Sequence, residues 1–362
     1  MSPEIQALRT RAQREIDNGL LPSCQLAIAR HGEVELFEAF GDATTDTRYI
    51  VYSATKAFIA SLLWVLIADG LVDVSKRVVD YFPEFAPNGK DVITVEQVML
   101  HTSGFPYAPL GFPDVLTREG RVNKMASWKL NWEPDSTYEY HAESAHWVLV
   151  EIIDRVTGGD YRDLLQDRVT RPSGITDRVL GTTTPVAPVV SVGELATPDE
   201  LEAALGMREL PVSVVTPELL IALSQDRARP VGHPGGGGIM TAADVVTFYQ
   251  SLLRNRAEIW NPEVLADATG RVRNHKPERW TKVPANRGLG VIIAGDDGKG
   301  FLRGFGKVGS PRTFGHNGAG GQIAWGDPDS GISFCYLTNG VDEHLLRMAR
   351  RGIALSSYAA VC

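Results

Sequence analysis

The sequence has few cysteines and no long apolar run, and both absences limit the kind of protein it can be. Cys24, Cys335 and Cys362 are its only 3 cysteines, and their wide spacing shows neither a disulfide framework nor a metal-type pattern. The longest apolar stretch, residues 57–68, contains Ser61 and is too short to span a bilayer. The first residues are charged and lack the apolar core of a signal peptide. Together these absences predict a cytoplasmic protein, in a reducing compartment, with no membrane span.

An excess of positive charge is also missing. The 362 residues include 36 basic and 44 acidic side chains, which gives a formal net charge of −8. Proteins that bind nucleic acids need clustered basic residues to meet the phosphate backbone, so we expect no nucleic-acid partner. The length allows one large domain or two of ordinary size, and the 43% hydrophobic share is typical of a globular protein. The composition does not indicate an oligomeric state.

Apolar periodicity predicts helices and strands at both ends of the chain. The predicted helices are residues 2–18, 53–70, 144–159, 242–253 (with Thr241 as N-cap) and 342–358. The predicted strands are a hairpin over 25–41 that turns at His31-Gly32, and the segments 47–52, 288–295, 301–309, 313–327 and 332–340. Residues 181–215 have no clean period and are predicted to be irregular. We therefore predict an α/β (α+β) fold. Residues 1–75 and 231–362 form an antiparallel sheet flanked by helices, and residues 76–230 form a mainly helical inserted region.

The strongest chemical motif is Ser53-Ala54-Thr55-Lys56. If Ser53 begins a helix, Lys56 lies three residues further on the same face. A serine hydroxyl is a weak nucleophile and needs a base. A lysine held against the apolar run that follows it would lose water, which disfavours its charged form and suits it to that task. The motif alone is also compatible with a capped helix and a solvated lysine.

Several further segments, in order along the chain, resemble the penicillin-recognising serine hydrolases, which include the class C β-lactamases, D-Ala-D-Ala carboxypeptidases and related esterases. These segments are IVYSATKAFIA (50–60), ADGLVDVSKRVVDYFPEF (68–85), ITVEQVMLHTSGFP (93–106), EPDSTYEYHAESAHWVLVEII (133–153), GGGGIMTAADVVTF (235–248), RGLGV (287–291) and FGHNGAGGQIAWGDP (314–328). The resemblance runs from about residue 20 to residue 345. It implies a β-lactamase-like fold and an acyl-enzyme mechanism that needs no cofactor or metal.

By this resemblance Tyr140 is the second catalytic residue, since a phenol beside a cationic lysine could carry a proton to the leaving group. Tyr138 is the competing candidate and is expected to be core. The family's Tyr-x-Asn is here Tyr140-His141-Ala142, and Ala142 has no side chain that could support the lysine or hold a substrate amide. His141 or Glu143 could replace the lost hydrogen bond, although His141 could equally lie at the surface. This departure weighs against penicillin or peptide hydrolysis.

The resemblance also implies a substrate-binding segment at His316-Asn317-Gly318, where the lactamases have Lys-Thr-Gly or a relative. A histidine is mostly neutral at pH 7, which suits an uncharged ester better than an anionic penicillin. Gly318 would let the strand edge approach the substrate. The backbone N–H groups of Ser53 and Ala319 would form the oxyanion hole.

Other patterns in the sequence are weaker. Gly235 to Gly238 lack the lysine of a phosphate-binding loop, so we predict a loop beside the active site. His101 to Gly104 is predicted to be a structural turn, and its Ser103 has no lysine at the needed spacing. Four tryptophans could either line an acyl pocket or belong to the core: Trp128, Trp132, Trp147 and Trp325. The Gly-x-Ser-x-Gly pattern of α/β-hydrolases is absent.

The sequence thus predicts an enzyme that acts on a small-molecule ester. Three alternatives stay open: an acyltransferase that uses the same acyl-enzyme, an amide or β-lactam hydrolase, and a non-catalytic binding protein on this scaffold. The natural substrate and the size of its acyl group do not follow from the sequence.

Overall fold

Strands from the two chain ends meet in one antiparallel sheet. The structure is a computed structural model, and it describes residues 2–210, 214–279 and 281–362. The strands are β1 (Ser23–Arg30), β2 (Glu33–Gly41), β3 (Tyr49–Ile50), β4 (Val190–Val192), β5 (Ile239–Met240), β6 (Ile292–Ile293), β7 (Phe314–Gly315), β8 (Ile323–Gly326), β9 (Ile332–Thr338) and β10 (Gly340–Asp342). Six of them form a sheet in the order β2-β1-β9-β8-β7-β6. Strand β1 pairs with β9 with Ala27 opposite Cys335, so the N-terminal hairpin lies beside the C-terminal strands.

The helices cover both faces of the sheet. They are α1 (Pro3–Asp17), α2 (Thr55–Ala68), α3 (Val95–Met99), α4 (Arg118–Ser127), α5 (Ser144–Thr157), α6 (Tyr161–Leu165), α7 (Pro198–Leu205), α8 (Pro217–Ser224), α9 (Ala242–Arg254), α10 (Pro262–Gly270) and α11 (Leu345–Ala359). In the described ranges no helix combines the length and the apolar character needed to cross a membrane.

Alternation along the strands explains the two cores. Leu26 and Ile28 of β1 pack with α1 and α11, whereas Ala27 and Ala29 face the core formed by α2 and α9. The small alanine side chains allow these helices to approach the sheet closely. Helix α2 is apolar around its whole circumference and buried from Thr55 to Leu66, as expected for a helix with neighbours on every side. The N-terminus of α2 is therefore fixed in the centre of the molecule.

The predicted fold class is confirmed, and several predicted elements need correction. The segment predicted as a strand at 301–309 is not one, because Gly304 (φ 94°) and Gly306 (φ 77°) leave the extended region and a 3₁₀ turn covers Gly300–Arg303. The predicted strand 313–327 is two short strands separated by a turn. Strand β3 pairs with β5 outside the main sheet. The predicted division at residues 75 and 231 stays a prediction.

The segment predicted to be irregular contains two regular elements. Strand β4 pairs in parallel with β10. Helix α7 begins with a reciprocal pair of hydrogen bonds between Thr197 and Glu200, has Pro198 in its first turn, and ends at Gly206 with φ 71°. These are ordinary start and stop signals, and they were present in the sequence. The long helix predicted over 144–159 is confirmed as α5, which ends before Gly158.

Candidate active site

Ser53 lies in a short turn immediately before α2. The turn is a 3₁₀ helix, Tyr52–Ala54, and Tyr52 has the left-handed φ of 46° that a bulky residue rarely adopts. Thr55 Oγ1 donates to Tyr52 O at 2.6 Å and accepts from Gly238 N at 2.9 Å, which fixes this backbone. Strained backbone held by its surroundings is often found at functional sites. Ser53 is half-buried, whereas the residues on both sides of it are buried.

Lys56 lies one turn into α2 and is completely buried. Its Nζ lies 3.2 Å from Ser53 Oγ, 2.7 Å from Ala142 O and 2.5 Å from Gly235 O. The two carbonyl oxygens can only accept, so they take two N–H groups of the lysine in either protonation state. The third position faces Ser53, where an ammonium donates to Oγ and a neutral amine accepts from the hydroxyl. The same three contacts therefore suit both ends of a proton transfer between Ser53 and Lys56.

The lysine is supported by main-chain atoms, which corrects the prediction that Ala142 cannot support it. The missing asparagine side chain is replaced by the carbonyl of Ala142 itself and by that of Gly235. A Cβ at position 235 would lie 3.1 Å from Ala142 O and 3.3 Å from Lys56 Nζ. A larger residue would therefore crowd Lys56 and the Ala142 carbonyl, and glycine lets this loop approach them closely. The prediction that Gly235 to Gly238 form a loop beside the site is confirmed.

His141 and Glu143 have other partners. His141 Nδ1 donates to Glu139 O at 2.6 Å, and its Nε2 accepts from Phe105 N at 3.1 Å and contacts Ser103 Oγ at 3.2 Å. Burial lowers the pKa of His141 to about 3, so it is neutral. The His141 contacts confirm that the segment with Ser103 is a structural turn. Glu143 Oε2 lies 2.8 Å from His233 Nε2.

Tyr140 lies beside the lysine. Lys56 Nζ is 5.2 Å from the centre of the Tyr140 ring. The Tyr140 hydroxyl is buried and has no hydrogen-bond partner in the described part of the chain. Tyr138 is buried, as predicted, and its hydroxyl accepts from Arg287 Nε at 2.9 Å. Of the two tyrosines, Tyr140 is therefore the one whose hydroxyl has no partner among the described residues and could exchange a proton with a substrate.

Four buried histidines lie around this site: His141, described above, and His101, His146 and His316. Burial lowers the pKa of His101, His146 and His316 well below the ordinary value, and the positive charges of Lys56 and Arg287 act in the same direction. His101 and His316 have their ring centres 4.8 Å and 5.7 Å from that of Tyr140. Within the ranges that the structure describes, no group of three or more His, Cys, Asp or Glu is arranged to hold a metal ion.

The segment 316–319 closes the site from the sheet side. His316 Nδ1 donates to Asn317 O at 2.9 Å, which leaves its buried Nε2 as an acceptor with no partner among the described residues. A Cβ on Gly318 would lie 2.2 Å from Val51 O, so glycine is needed for the strand edge to pack against the nucleophile turn. Ala319 begins a 3₁₀ turn and packs with the cluster that contains Tyr52.

The side chain of Asn317 binds protein atoms. Its side-chain nitrogen donates to Gly304 O at 3.1 Å, and its side-chain oxygen accepts from Ala324 N at 3.0 Å. Both ends of the amide therefore help to hold the turn between β7 and β8. The predicted contact of Asn317 with substrate stays a prediction.

An apolar cavity of about 370 Å³ lies next to the site. Its walls are the loop after the His101 turn and helix α8, and they include Tyr107, Leu110, Phe112, Val115, Leu219, Leu223, Glu143 and His233. Tyr52, which precedes the nucleophile, donates its hydroxyl to Leu220 O of α8 at 3.1 Å. Leu223 and the backbone of Tyr52 both lie within 4 Å of a Cβ built on Gly236. Tyr52 and Gly236 therefore lie between the cavity and Ser53.

The tryptophans do not line this cavity. Trp128, Trp147 and Trp325 are buried in the core, and half-buried Trp132 packs against Gly104. Sequence reasoning also missed two features of the site: the Gly235 carbonyl and Arg287. A backbone acceptor leaves no signal in a side-chain pattern. Arg287 stood in the quoted segment RGLGV, but only the fold brings it to Tyr140.

Known proteins resemble this chain in sequence and in fold. The family model described as Beta-lactamase matches residues 8–357. Esterase/beta-lactamase LipL of Mycobacterium tuberculosis is 28% identical over 319 residues, which are 82% of this chain and 70% of the relative. The crystal structure of a family VIII carboxylesterase superposes with a TM-score of 0.79 at 24% identity, covering 100% of this chain and 98% of the other. EstCE1, a hydrolase with promiscuous acyltransferase activity, superposes with a TM-score of 0.74 at 21% identity over 98% of both chains.

Proposed function

The chain belongs to the beta-lactamase family, and from that premise we propose that it cleaves a carboxylic ester through an acyl-enzyme on Ser53. The observation that supports this most directly is the position of Lys56 Nζ, 3.2 Å from Ser53 Oγ. Because the other two contacts of Nζ are carbonyl acceptors, its remaining position is directed at the nucleophile. This is the arrangement of a nucleophile and an adjacent base.

In the acylation step, Ser53 Oγ attacks the ester carbonyl. As the Oγ–C bond forms, the serine proton moves to the base formed by Lys56 and Tyr140, and the carbonyl π electrons move onto oxygen. The N–H groups of Ser53 and Ala319 stabilise the resulting oxyanion. The tetrahedral intermediate then collapses, the C–O bond to the alcohol breaks, and Tyr140 returns the proton to the leaving alkoxide.

Deacylation repeats these steps with water as the nucleophile. The same base takes a proton from water as it attacks the acyl carbon, and Ser53 leaves as its hydroxyl is restored. Lys56 and Tyr140 thus end in the protonation states in which they began. This chain's own residues supply every group in the cycle, with no metal or cofactor in it.

An uncharged ester with an apolar acyl group fits the surroundings best. The position of the family's lysine holds His316, whose pKa burial lowers well below its ordinary value, so that side chain offers no positive charge to a penicillin carboxylate. The apolar cavity of about 370 Å³ next to Ser53 suits a short aliphatic or aromatic acyl group.

Transfer of the acyl group to an alcohol is the second candidate. The observation in its favour is the similarity to EstCE1, which has promiscuous acyltransferase activity. A product assay separates the two reactions, since an added alcohol acceptor would convert the acyl group to a new ester in place of free acid.

Turnover of p-nitrophenyl butyrate and labelling by a fluorophosphonate probe test the proposal together. The parent protein is expected to do both, and Ser53→Ala to do neither. Ser103→Ala is the matched control, because Ser103 is the other serine in a family-like motif and contacts His141. It should keep its label. Equal labelling of the parent and Ser53→Ala would overturn the assignment of the nucleophile.

A further inference from the structure

Arg287 is a buried cation without a carboxylate partner. It precedes β6, and its backbone exchanges hydrogen bonds with Asn274. The side chain is 4% exposed, Nε donates to Tyr138 Oη, and Nη1 is buried with no partner among the described residues. No ion pair of Arg287 is found there either. An isolated buried charge is costly, so a side chain kept in this state calls for a reason.

Two other buried arginines of this chain have carboxylate partners. Arg303 is 8% exposed and binds Asp297 with both of its terminal nitrogens. Arg351 is 2% exposed and pairs with Asp342 and Glu15. Arg121, 9% exposed, resembles Arg287 in having no ion pair in the described part of the chain, but it lies over the ring of Trp147, whereas Arg287 lies over the ring of a proposed catalytic residue.

The guanidinium of Arg287 faces the proposed catalytic tyrosine. Its central carbon lies 5.0 Å from the centre of the Tyr140 ring, and Lys56 Nζ lies 5.2 Å from the same centre. The ring of Tyr138 is 5.6 Å from the guanidinium and, with the hydrogen bond, sets its position. Two cations therefore act on one phenol.

The neighbours of Tyr140 cannot supply the balancing negative charge. The titratable groups that face it from the surrounding elements are Lys56 on α2, His101 after α3, His146 on α5, Arg287 before β6 and His316 after β7. Burial keeps the three histidines neutral, and no carboxylate lies within ion-pair distance of Lys56 or Arg287 in the part of the chain described. Glu143 contacts His233 Nε2 at 2.8 Å and has no ion pair with Lys56 in the described part of the chain. Tyr140 is therefore the acid whose ring lies close to both cations.

We propose that Arg287 is a positioning residue that stabilises the phenolate form of Tyr140 and so makes it the acceptor of the Ser53 proton. The inference rests on the proposed ester hydrolysis for its kinetic consequence, but the charge state of Tyr140 can be measured without a substrate. In acylation the proton passes from Ser53 to the phenolate oxygen, and from the phenol to the leaving alkoxide. Arg287 keeps its charge and its protons throughout.

Tyrosinate absorbance in the resting enzyme tests the proposal directly. The difference spectrum between the parent and Tyr140→Phe isolates Tyr140, and it is recorded across a pH titration. In the Arg287→Gln background the same difference should titrate at least about one pH unit higher, because a cation at this distance favours the charged form of a neighbouring acid by about 1–3 units. Arg287→Lys, which keeps the charge, should recover part of the shift.

The kinetic readout is the pH profile of kcat/KM for p-nitrophenyl butyrate. Its acidic limb should move to higher pH in Arg287→Gln, with a fall of about tenfold at neutral pH and little change in KM. Arg303→Gln is the control for loss of a buried cation; it should lower stability and leave both titrations in place. A Tyr140 titration at the same pH in the parent and Arg287→Gln would overturn the inference. If the parent turns over the ester but the Tyr140 titration is the same in the parent and Arg287→Gln, only the role of Arg287 is refuted. If the parent does not turn over the ester but the Tyr140 titration moves in Arg287→Gln, only the ester proposal is refuted.

Discussion

Two lysines of this chain have almost the same surroundings. Lys56 and Lys90 are both completely buried, and each Nζ contacts three oxygen atoms. Each also lies over an aromatic ring, with Lys56 5.2 Å from the centre of Tyr140 and Lys90 5.1 Å from that of Phe85. Burial, coordination and ring contact therefore do not distinguish a lysine in a proposed catalytic site from one that holds a loop.

The distinguishing feature is the chemistry of the partners. Lys90 donates to three main-chain carbonyls, those of Pro87 at 2.6 Å, Ala126 at 3.1 Å and Trp128 at 2.6 Å. These atoms accept and never give a proton, so they suit a lysine that only donates hydrogen bonds. At Lys56 one carbonyl is replaced by the Ser53 hydroxyl, and the ring beside it carries a hydroxyl that Phe85 lacks. A buried lysine can take part in a proton transfer when the groups around it can exchange protons, as Ser53 and Tyr140 can.

The largest effect is expected for Lys56→Met. This change removes the amine beside Ser53 Oγ, which belongs to the proposed Lys56–Tyr140 base and is one of the two cations beside Tyr140, but keeps an apolar side chain of similar length, so kcat/KM for p-nitrophenyl butyrate should fall by about 10³- to 10⁴-fold. Circular dichroism and fluorophosphonate labelling would show a folded protein that reacts slowly at Ser53. Full turnover by a folded Lys56→Met would show that Lys56 takes no part in removing the Ser53 proton.

Lys90→Met should have the opposite profile. The three carbonyls that Lys90 satisfies would stay buried without a donor, so the free energy of unfolding should fall by about 2–4 kcal/mol. Denaturant unfolding measures this loss, and activity per folded molecule is expected to stay at the parent level. A folded Lys90→Met with reduced kcat would contradict the division of roles between the two lysines.

Tyr140→Phe makes the ring beside Lys56 like the ring beside Lys90. The buried hydroxyl without a partner disappears and the packing of the ring is kept, so kcat should fall by about 10²-fold with little change in stability. Steady-state kinetics on the ester gives the result. Tyr81→Phe, remote from the site, is the matched control and should leave kcat unchanged. If kcat is the same in Tyr140→Phe and the parent, the proton is carried by another group.

The sequence predicted which side chains lie close together better than it predicted their surroundings. Ser53, Lys56 and Tyr140 were proposed because their side chains appear in spaced motifs, and the structure brings the three together, while their catalytic roles stay a prediction. The carbonyls of Ala142 and Gly235 could not be found in this way, since every residue has a carbonyl and only the fold decides where it points. The missing asparagine thus suggested that Lys56 loses a hydrogen-bond partner, whereas two main-chain carbonyls take that place.

The secondary structure shows the same difference between features set by local sequence pattern and features set by tertiary contacts. Long periodic segments such as α5 and α9 were predicted to within a few residues, because burial of one face determines them. Short glycine-rich segments were predicted poorly. The segment with Gly304 and Gly306 was predicted as a strand, whereas both glycines adopt a positive φ that takes the chain out of the extended conformation. The cavity wall from α8 depends on tertiary contacts that local pattern does not contain.

The smallest effect concerns the pH dependence of stability at Lys90. Burial lowers the pKa of Lys90 from the ordinary 10.5 to about 8, so between these values the unfolded chain binds more protons than the folded one. The free energy of unfolding should therefore rise with pH across this window, because the cost of burying the charged form is present below about pH 8 and is relieved above it. Lys90→Met lacks this group, so the stability difference between parent and variant should grow by about 1–3 kcal/mol from pH 7.5 to pH 10. Urea unfolding of both proteins at the two pH values gives the double difference, in which the other titrating groups cancel. A constant difference would mean that the three carbonyls keep Lys90 charged throughout, and would make the contrast with Lys56 sharper still.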